Sequence, residues 1–306
     1  MRAYIGVTDG DWYRFLFAQP SLDEVNFWRP GGSGTFRALS PGEPFLFKLH
    51  APHNFIVGGG FFATYSVLPC SIAWEAFGTK NGTASFTEMR ARIAHYRRVR
   101  EDTREDYRIG CVVLEEPFFL DREHWVPAPD DFSRNIVQGK GYDLSTPAGR
   151  AFWQAVMVGY QGRRLGRVAE APVSMYGDPI LMRPRLGQGG FRVLVTDTYD
   201  RRCAVTREKA LPVLEAAHIQ PVSDGGIHQV ENGILLRSDV HTLFDRGYVT
   251  VSPDYRLRVS GRLKTEFDNG EHYYQLAGQS IWVPDDSRLR PDRRALEWHA
   301  DTVFLG

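Results

Sequence analysis

The chain has 306 residues, of which 42% are hydrophobic and 24% charged, the usage of an ordinary globular protein with room for two cores. Basic and acidic residues number 37 each, so the protein is not basic overall and only local basic surface is left for nucleic-acid contact. Three cysteines without paired spacing exclude a disulfide framework, and no apolar run has the length of an export signal or a membrane span. We therefore expect a cytoplasmic protein with no membrane segment.

Short β-like runs separated by glycine and proline turns fill the first 68 residues. The runs begin with YIGV at Tyr4, continue with PFLFKL, which places Phe45, Phe47 and Leu49 on one face, and end with FIVGGGFFATYSVLP. The three consecutive glycines of the last run indicate a bulge or a close backbone approach, because the lysine and hydroxyl residue of a phosphate-binding loop are missing. This part is predicted to be an aromatic-rich β structure.

Helical patterns and one more strand follow. SIAWEAFG and SFTEMRARIAHYRRVR are predicted helices, the second with Met89, Ile93 and Tyr96 on one face. IGCVVLEEPFFL is typical of a returning strand, and STPAGRAFWQAVMVGY predicts a helix with Pro147 in its first turn.

The order of these strands resembles the PUA-like superfamily, which includes the EVE, ASCH and SRA modules, over residues 1–160. The resemblance implies a β-barrel-type domain with helices, and several such modules hold an extruded modified base in an aromatic pocket. Among many aromatics that are needed for the core, Trp28 in the loop-like NFWRPGG is the predicted substrate-binding residue.

The C-terminal part contains one dense cluster of polar residues between apolar runs. ALPVLEAAHI predicts a strand that ends near His218, and a glycine-rich turn follows it. In ENGILLRSDVHTLFDRG, a turn at Asn232 leads to a second strand and then to a helix that carries His241, with Ser238 as its N-cap and Gly247 as its stop. A strand-turn-strand-helix unit of this kind has a polar cleft that fits a small divalent cation.

Hydrolysis of a phosphodiester needs a base of near-neutral pKa and a cation that neutralises the phosphate, and histidine is suited to the first task. With its AAHI and HxLFDxG sequences, the segment from about residue 189 to 300 resembles an HNH endonuclease, a ββα-metal nuclease. The resemblance implies that His218 is the general base, that Asn232 orients it or contacts the metal, and that His241 is a metal ligand.

The sequence departs from many HNH proteins at Ala217, where an aspartate or histidine would complete the metal site. Glu215 and Asp245 are the candidates to replace it, and Asp245 is favoured because it lies one helical turn after His241. Water and substrate phosphate are the alternative. The predicted cofactor is Mg²⁺ or Mn²⁺, with Ni²⁺ and Zn²⁺ as further candidates. His228, in the loop between the two strands, either contacts the phosphate as a substrate-binding residue or is solvated.

The sequence thus predicts an α+β protein with a base reader at residues 1–160, a linker at 161–188 and an HNH nuclease at 189–306. The predicted function is a metal-dependent DNA endonuclease, in its sharpest form a modification-dependent restriction enzyme that acts on modified cytosine or backbone. A homodimer would account for double-strand cutting. The alternatives are an inactive nucleic-acid-binding HNH fold, a nuclease for unmodified DNA, and an N-terminal adaptor for RNA or protein. Clustered arginines are the candidate phosphate contacts: Arg90, Arg92, Arg97, Arg98 and Arg100; Arg163, Arg164 and Arg167; Arg288, Arg290, Arg293 and Arg294.

Overall fold

A computed structural model describes residues 1–32, 34–100, 102, 104–133, 135–166 and 186–306, with the backbone alone for residues 162–166. The chain divides into two compact units, Met1–Pro184 and Arg185–Gly306. The predicted linker falls largely on residues outside this description, as do Arg167 and the side chains of Arg163 and Arg164. Within the described part, no helix is both long and apolar enough to cross a membrane.

The first unit combines a seven-stranded sheet with helices, so the predicted α+β class is confirmed. Its strands are β1 Arg2–Thr8, β2 Glu24–Arg29, β3 Pro44–Leu49, β4 Phe55–Pro69, β5 Arg108–Phe119, β6 Val126–Pro127 and β7 Gly139–Asp143. Its helices are α1 Gly10–Phe17, α2 Cys70–Phe77, α3 Phe86–Arg97 and α4 Pro147–Gly166. Pro147 is the first residue of α4, as predicted, although the helix continues beyond the predicted end at Tyr160.

The sheet has the order β2-β5-β4-β3-β1-β7, with β6 paired to β4, and only the β1–β3 pair is parallel. Among the described strands the edge strands β2 and β7 are not paired with each other, so the predicted barrel closure is not seen. The two edges are nevertheless linked by side chains, because Arg29 at the end of β2 donates a hydrogen bond to Gln138 just before β7. The sheet is therefore open in its backbone pairing and bridged at one end.

Glycines allow the long strand β4 to lie against its neighbours. A Cβ atom on Gly58 would lie 2.3 Å from the carbonyl oxygen of Phe118, and one on Gly59 would lie 2.8 Å from that of Phe45. The register between β4 and β5 also shifts between Gly59 and Phe61. The predicted bulge and close backbone approach are thus both present, because this crowded part of the sheet has no room for a side chain.

Apolar side chains pack on both faces of the sheet. Phe45, Phe47 and Leu49 belong to one cluster with residues of α1, as their alternation predicts, and Leu46 belongs to a second cluster that includes Val156 of α4. The predicted face of α3 is correct for Met89 and Ile93, but Tyr96 is 41% exposed.

The second unit contains two separate two-stranded antiparallel sheets and several short helices. Its strands are β8 Leu214–His218, β9 Gly233–Arg237, β10 Val249–Val251 and β11 Leu257–Val259. Its helices are α5 Gln188–Thr198, α6 Ser238–Asp245, α7 Arg262–Phe267, α8 Glu271–Tyr274 and α9 Arg293–Thr302. Ser238 is the first residue of α6 rather than its N-cap, which is Arg237. Gly247 has φ +74° just after α6, consistent with the predicted stop.

Candidate functional site

The strands β8 and β9 and the helix α6 form the ββα unit that the sequence predicts. The strands are antiparallel, and His218 at the end of β8 is opposite Gly233 at the start of β9. Helix α6 follows β9 directly and carries His241. The charge of His241 contributes to the pKa of His218, so the two histidines share one electrostatic environment. The strand end and the helix thus bring the predicted base and the predicted metal ligand close enough to interact electrostatically.

His218 is held by an aromatic ring and by a second histidine. Its ring stacks on Phe191 of α5, with centroids 3.9 Å apart and planes inclined by 11°. Its Nε2 lies 2.9 Å from Nδ1 of His228. Burial, and then the nearby His228 and His241, lower the pKa of His218 to about 4, against an opposing effect of Asp245. His218 is therefore neutral at pH 7, which is the form that accepts a proton.

His241 lies between two carboxylates. Its Nδ1 is 2.6 Å from Oε2 of Glu215, and its Nε2 is 3.3 Å from Oδ2 of Asp245. Burial lowers the pKa of His241, but hydrogen bonds to Asp245 and Glu215 outweigh it and raise the pKa above the ordinary value. The site therefore attracts positive charge, whether it is a proton or a metal cation.

The residues around His241 fit part of a metal site. Two donors of one small cation, each about 2.1 Å from it, are roughly 3 to 4 Å apart unless they are opposite each other, and the 3.3 Å between His241 and Asp245 agrees with this. Glu215 contacts the other ring nitrogen, Nδ1 of His241, and so corresponds to the carboxylate that commonly orients a metal-bound histidine. Among the described residues no group of three or more histidine, cysteine, aspartate or glutamate side chains has metal-binding geometry. Water and phosphate would have to supply the other ligands, as is common for Mg²⁺.

Asn232 is 7% exposed, and its amide contacts backbone. Its Oδ1 accepts a hydrogen bond from the backbone N–H of Gln220 at 2.9 Å, and its Nδ2 donates to the carbonyls of Gln220 at 2.8 Å and Ile227 at 3.0 Å. Gln220 lies two residues after His218, and Ile227 directly precedes His228. This geometry favours an orienting role for Asn232 over the metal-ligand role.

Two features of this site have no clear signal in the sequence. Phe191 lies on a separate helix upstream of the motif, and nothing in its local pattern points to His218. His228 was predicted either to contact phosphate or to be solvated, whereas the structure places it beside His218. Cys203 is fully buried, and its sulfur accepts hydrogen bonds from the backbone N–H groups of Thr206 and Arg237.

Trp28, the predicted substrate-binding residue of the first unit, lines a cavity of about 650 Å³. It is only 9% exposed, and its Nε1 donates a hydrogen bond to the carbonyl of Asn81 at 2.9 Å, so much of the ring is packed. Tyr96 lies across from it in an edge-to-face contact, with ring centroids 6.1 Å apart. Polar groups at the same cavity include Asp9, which accepts a hydrogen bond from the Tyr96 hydroxyl at 2.7 Å, and Arg29. The cavity therefore combines aromatic walls with charged groups.

Several arginines of the predicted phosphate-contacting clusters already have partners within the protein. Arg92 pairs with Glu88 at 2.6 Å, and Arg97 donates to the carbonyl of Pro30 at 2.8 Å. Arg288 pairs with Asp286 at 2.7 Å. These contacts within the protein account for part of the arginine clustering, so that part does not require a nucleic-acid partner.

Residues 203–252 match the family model described as HNH endonuclease. The chain is similar to the solved structure "Modification dependent TagI restriction endonuclease", with 13% identity and a TM-score of 0.31 over 98% of this chain and 81% of that one. It is also similar to the "Type IV phosphorothioation-dependent restriction endonuclease ScoMcrA", with 12% identity and a TM-score of 0.20 over 79% of this chain and 52% of that one. No curated protein matches the chain. The family match includes β8, β9 and α6, and thus all three predicted catalytic residues.

Proposed function

We propose that this chain, whose residues 203–252 match the HNH endonuclease family, is a nuclease that hydrolyses phosphodiester bonds of DNA with a divalent cation. The observation that carries the proposal is the neutral His218 beside the negatively charged surroundings of His241. A base that is free to accept a proton and a site that attracts a cation are the two groups that this reaction needs.

In this mechanism His218 accepts a proton from the attacking water, and the stack on Phe191 keeps its ring in one plane. His241 and Asp245 would hold the cation, while Glu215 accepts the Nδ1 hydrogen of His241 and so leaves Nε2 as the nitrogen available to a cation. The cation, when bound, neutralises negative charge on the phosphate and the leaving oxygen. Asn232 fixes the loop that carries His228 to the backbone that follows His218.

The test is cleavage of plasmid DNA with Mg²⁺, Mn²⁺ or EDTA by the wild-type protein and by His218→Ala. We expect the variant to lose about 10²- to 10⁴-fold in rate, the usual contribution of a general base, and to keep its fold and its DNA binding. The exposed His272 of the same unit provides the matched control His272→Ala, which should cleave like the wild type. If the wild type bound DNA but did not cleave it under any metal condition, the inactive HNH fold would be favoured instead. Ala217 motivates this alternative, because it occupies the position where a metal ligand is expected.

We further propose that the first unit is a reader that accepts an extruded, modified base in the cavity beside Trp28. The supporting observation is a cavity of about 650 Å³ with Trp28 and Tyr96 as stacking surfaces and Asp9 and Arg29 as polar groups. Its volume is within the range of about 300 to 1,000 Å³ that small-molecule sites have. Extrusion costs a few kcal/mol, and aromatic stacking with hydrogen bonds to the base edge offsets it.

The reader is tested with matched plasmids that are unmodified or carry 5-methylcytosine, 5-hydroxymethylcytosine or phosphorothioate. The variant Trp28→Phe keeps an aromatic ring but changes the cavity wall, and Trp74→Phe makes the same change on α2, away from the cavity. We expect preferred cleavage of one modified plasmid, weakened in Trp28→Phe and kept in Trp74→Phe. Equal cleavage of all plasmids by the wild type would leave a nuclease for unmodified DNA and refute the reader.

A further inference from the structure

His228 contacts the proposed base directly. Its Nδ1 lies 2.9 Å from Nε2 of His218, and the two ring planes are inclined by 61°. Two neutral imidazoles at this distance share one hydrogen bond, in which one ring donates and the other accepts. The tautomers of the two rings are therefore coupled, and the direction of this bond determines which nitrogen of His218 carries a hydrogen.

Only one direction of the bond is compatible with His218 as a base. If His228 donates, Nε2 of His218 is an acceptor, its hydrogen lies on Nδ1, and neither nitrogen is free to accept a proton. If His218 donates from Nε2, its Nδ1 keeps a lone pair. Among the described residues no hydrogen bond to Nδ1 of His218 is formed, and this nitrogen is not one of the fully buried unpaired side-chain atoms, so it retains some exposure.

We propose that His228 is a positioning residue that accepts the Nε2 hydrogen of His218 and thereby presents Nδ1 of His218 as the basic atom. The inference rests on the proposed nuclease function and adds a residue to it. A proton that passes from water to Nδ1 leaves His218 with a hydrogen on each nitrogen. The bond to His228 then becomes charge-assisted and stronger, so His228 stabilises the reacting state more than the resting one.

The surroundings of the pair agree with this role. Phe191 stacks closely on His218 and lies in looser, tilted contact with His228, with ring centroids 5.8 Å apart. The other titratable groups that act on His218 are His241 and Asp245, both on α6. The Asn232 amide holds the loop next to His228, which limits how far that ring can move away. A solvated loop histidine would need none of these restraints.

The first measurement is the tautomer of His218 in the intact protein, from long-range ¹H–¹⁵N spectra with ¹⁵N-labelled histidine, assigned with His218→Ala. This measurement does not depend on cleavage, so it tests the inference even if the nuclease proposal fails. We expect hydrogen on Nε2 and none on Nδ1 in the wild type, and a mixture of tautomers in His228→Ala. Hydrogen on Nδ1 in the wild type, or an unchanged spectrum in His228→Ala, would overturn the proposal.

The second measurement compares kcat and KM for His228→Ala and His228→Asn. Asparagine places an acceptor oxygen where Nδ1 of histidine lies, so it should retain most of kcat, whereas alanine should lower kcat by roughly 10- to 100-fold with little change in KM. Gln229→Ala, a change at the neighbouring loop residue, is the control and should behave like the wild type. Equal losses in both His228 variants, or a change in KM alone as expected for a phosphate contact, would contradict the positioning role.

Discussion

The substitution Asn232→Asp is expected to destabilise the nuclease unit and to lower cleavage, although aspartate has nearly the same size and is a better cation ligand. The asparagine donates hydrogen bonds to the carbonyls of Gln220 at 2.8 Å and Ile227 at 3.0 Å, and it accepts one from the N–H of Gln220 at 2.9 Å. Aspartate keeps the acceptor but replaces both donated bonds with contacts between oxygens.

The magnitude follows from those two lost bonds. A buried polar group without its partner costs about 1 to 3 kcal/mol. Gln220 is only partly buried, so water replaces part of the loss. A decrease of about 3 kcal/mol in the free energy of unfolding of this unit is therefore expected. Cleavage should fall with it, because the two anchored segments carry His218 and His228.

Urea unfolding gives the stability, and calorimetric titration with Mn²⁺ gives the cation affinity. Asn269→Asp is the matched control, because Asn269 is exposed and its side chain acts only as an acceptor, from the N–H of Gly270 at 2.7 Å. A second variant, Gly226→Ala, should disturb the same loop, because its Cβ would lie 1.9 Å from the carbonyl oxygen of Gln220. If Asn232→Asp were as stable as the wild type and bound Mn²⁺ more tightly, Asn232 would be a metal ligand and the orienting role would be refuted.

Three further changes test other parts of the molecule. Burial and the nearby Glu24 raise the pKa of Glu115 from 4.5 to about 8. Between pH 5 and 8 the folded protein therefore keeps a proton that the unfolded chain releases. The free energy of unfolding should then fall as the pH rises, by at most about 1.4 kcal/mol per pH unit. Glu115→Gln should flatten this dependence in urea unfolding at several pH values, and an unchanged slope would contradict the assignment. Gly58→Ala should lower the melting temperature by several degrees, because its Cβ would clash with the carbonyl of Phe118, and a neutral result in calorimetry would show that the sheet can relax. Asp245→Asn should weaken Mn²⁺ binding about tenfold or more without unfolding the unit, and unchanged affinity in titration would exclude Asp245 as a ligand.

Local patterns were sufficient to predict much of the nuclease unit. The apolar run before His218, the turn at Asn232 and the helical spacing around His241 each depend on residues close in sequence. The structure contains the corresponding strands and helix, and it places Asp245 beside His241, as the spacing of one helical turn requires. The family match to residues 203–252 agrees with the motif.

The contacts that determine the chemistry of the site could not be predicted from the sequence in the same way. The sequence makes Glu215 a candidate metal ligand, but its contact with Nδ1 of His241 depends on how α6 packs against β8. The contact of His228 with His218 depends on the path of a loop that has no periodic pattern. In the first unit, alternation predicted the face of Phe45 and Phe47, but it gave no information on whether the edge strands pair with each other.

The sequence by itself predicted the strands β1, β3, β4 and β5, the helices α2, α3 and α4, the glycine-rich crowding of β4 and the strand-strand-helix unit of the C-terminal part, because these follow from local backbone preferences and side-chain periodicity. The resemblance to HNH endonucleases then singled out His218, Asn232 and His241 within that unit. Only the tertiary structure decided that Phe191 stacks on His218 and that Nδ1 of His228 forms a hydrogen bond with Nε2 of His218. It also decided that the side-chain amide of Asn232 forms hydrogen bonds with the backbone. The physical reason is that these contacts join segments whose distance in space is set by packing of the whole unit, and no short stretch of the chain encodes that distance.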